Sequence, residues 1–191
     1  MAKLVYNYGA MNSAKSARLI MDAYQLRADG KNVLIFKPAL DDRDNGIVRS
    51  RAVPTALDAT TIGVDEEGIM FSYATAEHPR VVLADEVQFF TPEQIDELVA
   101  IVDVLGVTVI TYGLLTDFRG ELFAGSKRLI EAGAILERVR SECTICNEDG
   151  AFNARYVNGV ITLQGEQIVT GAEETYRVLC RKCYNEQLHG I

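Results

Sequence analysis

Three observations in the 191-residue sequence predict an α/β fold, a mostly parallel sheet covered by helices on both faces. Short apolar runs alternate with segments of helical period as far as residue 140. A glycine-led phosphate-loop pattern joins the first apolar run to the first helical segment. After Arg140 the texture changes, and two cysteine pairs bracket a glycine-dotted stretch. That change divides the chain into an ATP-binding α/β domain over residues 1–140 and a metal-binding unit over 141–191.

Residues 4–8 read as a strand buried on both faces. From 15 to 29, Leu19, Ile20, Ala23, Tyr24 and Leu26 recur at helical spacing, and Gly30 stops the helix. Residues 32–37 form a second strand, which Pro38 ends. The polar, acid-rich residues 39–50 read as a loop. Residues 80–84 give a third buried strand leading into Asp85-Glu86. Thr91 then caps a helix, with Pro92 at its first position and Gln94 closing a capping box. Ile95, Leu98, Val99 and Val102 form the core face of that helix. Strands at 107–112 and 134–139 flank a helix at about 122–132. Asn158-Gly159, between two β-prone runs, predicts a hairpin.

Composition narrows the function. Nineteen Lys and Arg against twenty-seven Asp and Glu leave a net charge of −8. Proteins that neutralise nucleic-acid phosphates carry a basic face, so no nucleic-acid partner is expected. The sequence opens without the charged, apolar, small-residue order of a signal peptide. Its longest apolar stretch, residues 104–115, is shorter than the ~18 residues of a membrane span. A cytoplasmic protein with reduced cysteines is the expectation.

Gly9-Ala10-Met11-Asn12-Ser13-Ala14-Lys15-Ser16 matches G-x-x-x-x-G-K-[ST], with Ala14 in place of the second glycine. In such a loop, backbone N–H groups and the helix N-terminus wrap phosphates, Lys15 supplies a fixed cation, and Ser16 ligates Mg²⁺. The alanine fits if it keeps a negative φ. Asp85 and Glu86 place carboxylates at the C-terminal end of a strand, where open α/β sheets bind ligands. Asp85 suits Mg²⁺, and Glu86 suits a base.

Cys143-x₂-Cys146 and Cys180-x₂-Cys183 use every cysteine in the chain. Two such knuckles complete a tetrahedral zinc site with no open position, which makes it structural. A redox pair or disulfides are the alternatives. His78 and His189 receive no role.

Taken in order, these motifs resemble the type II (cellular) thymidine kinases over nearly the whole chain. The resemblance rests on the phosphate loop, Asp41-Asp42-Arg43, Ala84-Asp85-Glu86-Val87-Gln88-Phe89-Phe90, both cysteine pairs and Tyr176. It rests equally on Tyr112-Gly113-Leu114-Leu115-Thr116-Asp117-Phe118-Arg119-Gly120-Glu121-Leu122-Phe123. It implies a RecA-like P-loop domain and a zinc-anchored ribbon bearing a lasso that closes over a nucleoside. It implies transfer of the ATP γ-phosphoryl group to the 5′-hydroxyl of thymidine, with deoxyuridine a possible second acceptor, using Mg²⁺ in a homotetramer. By the same resemblance, Glu86 is the base, and Asp85 and Gln88 join residues 9–16 in contacting ATP. Asp41 and Arg43 organise metal and phosphates. Met11, Leu114, Phe118, Phe123 and Tyr176 line the nucleoside pocket, and the backbone of Val169, Thr170 and Gly171 meets the thymine edge. The chain departs from the family at Ala14 and at Gly171-Ala172.

Two rival classes stay open on the residues alone. One is a P-loop ATPase whose zinc ribbon contacts single-stranded DNA. The other is a nucleotide-binding regulator without turnover.

Overall fold

The structure is a computed structural model that describes residues 1–40, 46–50, 52–167 and 175–190. The first strand, β1 (Leu4–Tyr8), feeds helix α1 (Lys15–Ala28) and returns as β2 (Val33–Pro38). A hairpin of β3 (Ile47–Ser50) and β4 (Val53–Asp58) leads to β5 (Thr60–Ile62) and α2 (Ile69–Glu77). Strand β6 (Val81–Ala84), a 3₁₀ turn (Val87–Phe89), α3 (Pro92–Asp103) and β7 (Thr108–Gly113) follow. Helix α4 (Ala124–Glu131) and β8 (Ile135–Arg138) then complete the main layer.

The six-stranded sheet has the order β5-β2-β6-β7-β1-β8, and every pairing in it is parallel. Alternation along each strand splits the core into two layers. Val82, Ala84, Tyr6 and Val109 pack with Met70 of α2, Ile95 and Leu98 of α3, and Leu129 of α4. Val81, Leu83, Val33 and Ile35 pack on the other face with Leu19, Ile20 and Ala23 of α1 and with Val48 and Leu57 of the β3–β4 hairpin. Each Val, Leu, Ile or Met side chain buried in this way contributes roughly 1.5–3 kcal/mol before entropy.

The capping box of α3 forms as expected. Gln94 N–H donates to Thr91 Oγ1, and Thr91 N–H to Gln94 Oε1, each at 3.2 Å. Helix α2 has no cap of its own. Its first turn is held by Glu97 of α3, whose carboxylate accepts from the N–H groups of Gly68 (2.6 Å), Met70 (3.0 Å) and Phe71 (3.3 Å).

Beyond β8 the chain forms smaller sheets. Strands β9 (Ser141–Glu142) and β10 (Asp149–Gly150) pair, and β11 (Phe152–Val157) lies between β12 (Val160–Thr162) and β13 (Thr175–Leu179). Helix α5 (Arg181–His189) packs over them. Asn158 and Gly159, at φ 51° and 79°, make the tight β11–β12 turn that their sequence calls for.

Two expectations need correction. Residues 39–50 are not all loop, because Ile47–Ser50 pairs antiparallel with Val53–Asp58 and buries Val48 and Leu57. Pro38 is the last residue of β2 and not its terminator, since it pairs with Ile62 at the edge of the ladder. Among the described residues, no helix is long and apolar enough to cross a membrane.

Candidate active site

The C-terminal ends of β1, β6 and β7 share one edge of the sheet, with Tyr8 level with Gly113 and Ala84 with Thr111. All three following loops therefore open onto the same region. Gly9 begins the first of them under tight constraint, since a Cβ there would lie 2.5 Å from the Val139 carbonyl and 2.6 Å from Ser13 Oγ.

The loop then takes two left-handed residues, Asn12 at φ 58° and Ala14 at φ 62°. The expected negative φ at Ala14 is thus wrong. The alanine adopts the conformation that the motif's glycine would adopt freely, at a cost of roughly 1–2 kcal/mol. Its carbonyl nonetheless starts α1 by accepting from Arg18 N–H at 3.0 Å.

Lys15 is buried, and its ammonium donates to the carbonyls of Ala10 (2.7 Å) and Gly9 (3.3 Å) and to Ser13 Oγ (3.3 Å). Burial lowers its pKa, while the charges of Glu86 and Asp85 act to raise it. Both carboxylates therefore act electrostatically on the phosphate-loop lysine.

Asp85 leaves β6 with its N–H bonded to the Phe36 carbonyl at 3.0 Å. Burial, helped by the charge of Glu86, raises its pKa to about 7. The Ser16 hydroxyl, the Glu86 N–H and the Lys15 charge pull the other way. Ser16 and Asp85 thus meet beneath the loop. Glu86 follows in the left-handed region at φ 49°, and its Oε2 accepts from the Gln88 side-chain amide at 2.6 Å.

The predicted nucleoside pocket is spread over several elements. Met11 lies in the phosphate loop, and its N–H donates to Asn153 Oδ1 at 2.7 Å. Leu114 directly follows β7. Phe118 is buried, with the guanidinium groups of Arg119 and Arg155 5.1 and 4.8 Å from its ring centre. Its carbonyl accepts from Tyr184 Oη at 2.6 Å. Phe123 caps α4 and meets Phe89 edge-on at 6.0 Å. Tyr176 sits on β13 opposite Arg155. Asp41, Arg43, Val169, Thr170 and Gly171 lie outside the described residues.

A cavity of about 240 Å³ opens beside the loop between Gly9, Ala10, Leu115, Thr116, Arg138 and Asn153. A larger one of about 330 Å³ lies at the opposite edge of the sheet near Asn32, His78 and Arg80, far from this chemistry. Of the two, the smaller is the one bordered by the phosphate loop.

The sulfur atoms of Cys143, Cys146, Cys180 and Cys183 all lie within 4.8 Å of one another. Cys146 Sγ is 3.6 Å from both Cys180 Sγ and Cys183 Sγ. A tetrahedral zinc with Zn–S bonds of about 2.3 Å needs sulfurs about 3.8 Å apart, so this cluster fits. Burial alone would raise the Cys143 thiol, but N–H groups of Cys146, Cys180 and Ile145 help bring it down to about 6. Cys146 and Cys183 shift the other way, Cys183 through burial and then its cysteine neighbours, so Cys143 is the member held toward the thiolate that a metal needs.

The family model for thymidine kinase matches residues 2–184. The thymidine kinase of Streptococcus pyogenes serotype M3 is 37% identical over 185 residues, covering 96% of this chain and 97% of that one. The thymidine kinase of Lactococcus lactis subsp. lactis is 36% identical over 187 residues, with the same coverage. This chain belongs to the thymidine kinase family. Among solved structures, a DNA replication initiation factor is 17% identical, with a TM-score of 0.43 over 73% of this chain and 40% of that one. A likeness that loose carries no argument.

Three residues that brace these loops receive no role from the sequence, although Asp117 lies within the matched stretch 112–123. Asn153, buried on β11, accepts from Met11 N–H and donates to the Thr116 carbonyl at 3.1 Å, bridging two loops of the sheet edge. Asp117 is buried and accepts from the N–H groups of Arg119 (2.8 Å) and Glu121 (2.9 Å). Its carboxylate also takes the Gln167 amide at 3.1 Å, tying residue 167 to the β7 loop. Arg155 holds the Glu166 carbonyl at 3.0 Å while lying over Phe118. An Asn in a β-prone run gives no sequence signal of this kind.

Proposed function

We propose that the chain transfers the γ-phosphoryl group of ATP to the 5′-hydroxyl of thymidine, in nucleotide salvage. The observation that carries this reading is that β1 with its phosphate loop and β6 with Asp85-Glu86 end at one edge of the sheet, where the charges of both carboxylates act on Lys15. A phosphate loop alone serves any nucleotide hydrolase. A second carboxylate beside the metal-type aspartate supplies what an alcohol acceptor needs, since a primary hydroxyl is a poor nucleophile at neutral pH.

In this reading residues 9–16 wrap the phosphates, with Lys15 bearing against their charge. Ser16 and Asp85 hold the Mg²⁺ that travels with ATP, and Asp41 and Arg43 assist. Mg²⁺ contributes charge neutralisation on the phosphates. Glu86 takes the proton from the 5′-hydroxyl as the new P–O bond forms and the bond from γ-phosphorus to the β–γ bridging oxygen breaks, leaving ADP. Met11, Leu114, Phe118, Phe123 and Tyr176 receive the base and sugar, and the backbone of residues 169–171 meets the base edge. Zn²⁺ at Cys143, Cys146, Cys180 and Cys183 is structural, because four sulfurs leave no coordination position for substrate.

The reading also carries a division into domains at 1–140 and 141–191, and a homotetramer. The half-exposed Ile135 and Leu136 of the edge strand β8 suit burial against another copy.

A panel of nucleosides with radiolabelled ATP tests the proposal. Thymidine is expected to be phosphorylated with the highest kcat/KM, with deoxyuridine as the informative comparison. Phosphate release without phosphorylation of any nucleoside, stimulated by single-stranded DNA, would replace this reading with the DNA-dependent ATPase.

A further inference from the structure

The turn after β6 is braced to a degree that a simple strand end does not need. Glu86 itself holds a left-handed backbone, and its carbonyl accepts from Phe89 N–H at 3.0 Å. Gln88, two residues on, is 3% exposed. Its Nε2 donates to Glu86 Oε2 at 2.6 Å, and its Oε1 accepts from Leu114 N–H at 3.0 Å. A peptide N–H can only donate. Leu114 therefore fixes which end of the amide is oxygen, and the NH₂ end must face Glu86.

Leu114 is held in turn. Its carbonyl lies 2.6 Å from both Tyr6 Oη and Ser126 Oγ, and those two hydroxyls are 2.9 Å apart. Two glycines give the arrangement its room. A Cβ on Gly113 would stand 2.6 Å from Gln88 Oε1 and 2.9 Å from Val87 Cγ2. A Cβ on Gly125 would stand 2.3 Å from the Val87 carbonyl and 2.8 Å from that of Phe90, so α4 rests directly on the backbone of the turn. The chain Glu86–Gln88–Leu114–Tyr6/Ser126 thus runs from the candidate base into the core of the sheet.

We infer that Gln88 is a positioning residue that aims the Glu86 carboxylate at the acceptor hydroxyl, and that it acts through Glu86 and not on the phosphates of ATP. The inference rests on the reading of Glu86 as the base. A glutamate side chain has three rotatable bonds, and proton transfer requires a carboxylate oxygen within about 3 Å of the hydroxyl. Gln88 removes that freedom by holding Oε2 at 2.6 Å. Misplacement of a reacting group by about 1 Å can cost on the order of 10²-fold in rate.

A kinetic double-mutant cycle tests it, using the full chain with wild type, Glu86→Gln, Gln88→Met and the double variant. Methionine keeps the length of glutamine and removes both hydrogen bonds. Gln88→Met is expected to lower kcat about 10- to 100-fold, with the KM for ATP and for thymidine within about threefold of wild type. In the Glu86→Gln background the same substitution is expected to cost nothing further, because residues that act as one unit are not additive. Losses that multiply, or a loss confined to the KM for ATP, would overturn the inference and return Gln88 to the phosphates.

Should Gln88→Met fail to fold by circular dichroism, Gly113→Ala serves, because it displaces the amide without changing its chemistry. It is expected to reproduce the kcat loss and to lose its effect beside Glu86→Gln. A normal kcat in either single variant sinks the positioning role while Glu86→Gln remains slow. A Glu86→Gln enzyme with normal kcat removes the base itself, which is a separate failure.

Discussion

The backbone N–H of Met11, in the phosphate loop, donates to the side chain of Asn153, which stands 142 residues later on β11. The Asn153 amide also donates to the Thr116 carbonyl after β7. One side chain from the cysteine-bearing part of the chain therefore pins two loops of the main sheet.

Asn153→Leu should leave the Met11 N–H and the Thr116 carbonyl without their partner in a buried place. A lost partner of this kind costs about 1–3 kcal/mol each way, so a destabilisation of that order is expected in urea melts. Because Met11 is a loop residue, the KM for ATP or thymidine should rise more than kcat falls. Wild-type stability together with wild-type KM values would show that the bridge does not matter.

Asp85 gives a pH signature. Its folded pKa is raised to about 7 by burial, above the value of about 3.9 expected unfolded. Between those values the folded chain holds a proton that the unfolded chain has lost, so ligand-free stability falls as pH rises from about 4 to about 7 and then levels off. Asp85→Asn removes this loss. The variant should match wild type near pH 3 and exceed it at pH 8 by at most about 4 kcal/mol, while its kinase activity collapses. Urea melts across pH decide it, and parallel profiles for the two proteins would refute the raised pKa.

Ala14→Gly should relieve the left-handed strain and stabilise the protein by about 1 kcal/mol. Activity should stay level or rise slightly, since glycine keeps the same φ. A drop in stability would mean that the alanine methyl makes packing contacts worth more than the strain.

One zinc per chain is expected by elemental analysis. Cys183→Ser should lower that stoichiometry and destabilise β11, β13 and α5, whose buried core contains Cys143, Cys180 and Cys183. Full retention of secondary structure after exhaustive chelation would count against a structural metal.

Much of this architecture was legible in the sequence, and the gaps have physical reasons. Strands β1, β2, β6 and β7 showed as apolar runs because parallel strands inside a sheet are covered on both faces. The three-residue edge strand β5, Thr60-Thr61-Ile62, was too short and polar to show. The start of α3 showed because Thr91, Pro92 and Gln94 are all local. The end of helix α2 showed at His78-Pro79, but its start did not, because its N-terminal cap is Glu97, brought in from another helix. The β3–β4 hairpin was hidden by exposed polar residues around only two buried ones, Val48 and Leu57. The phosphate loop, the acidic strand end and the cysteines were visible as patterns. Asn153 and the Gln88–Leu114 contact were not, since both depend on partners 26 or more residues away.

The hydrogen bonds of Lys15 to Ala10, Gly9 and Ser13 bear on how tightly an anion can be held. The loop is already wound around its own cation, so its ordering entropy is spent during folding and not at the moment of encounter. A phosphate entering such a loop would exchange partners with the ammonium instead of recruiting it from water. On the reading of residues 9–16 as the phosphate site, affinity is then set by the difference between two sets of hydrogen bonds.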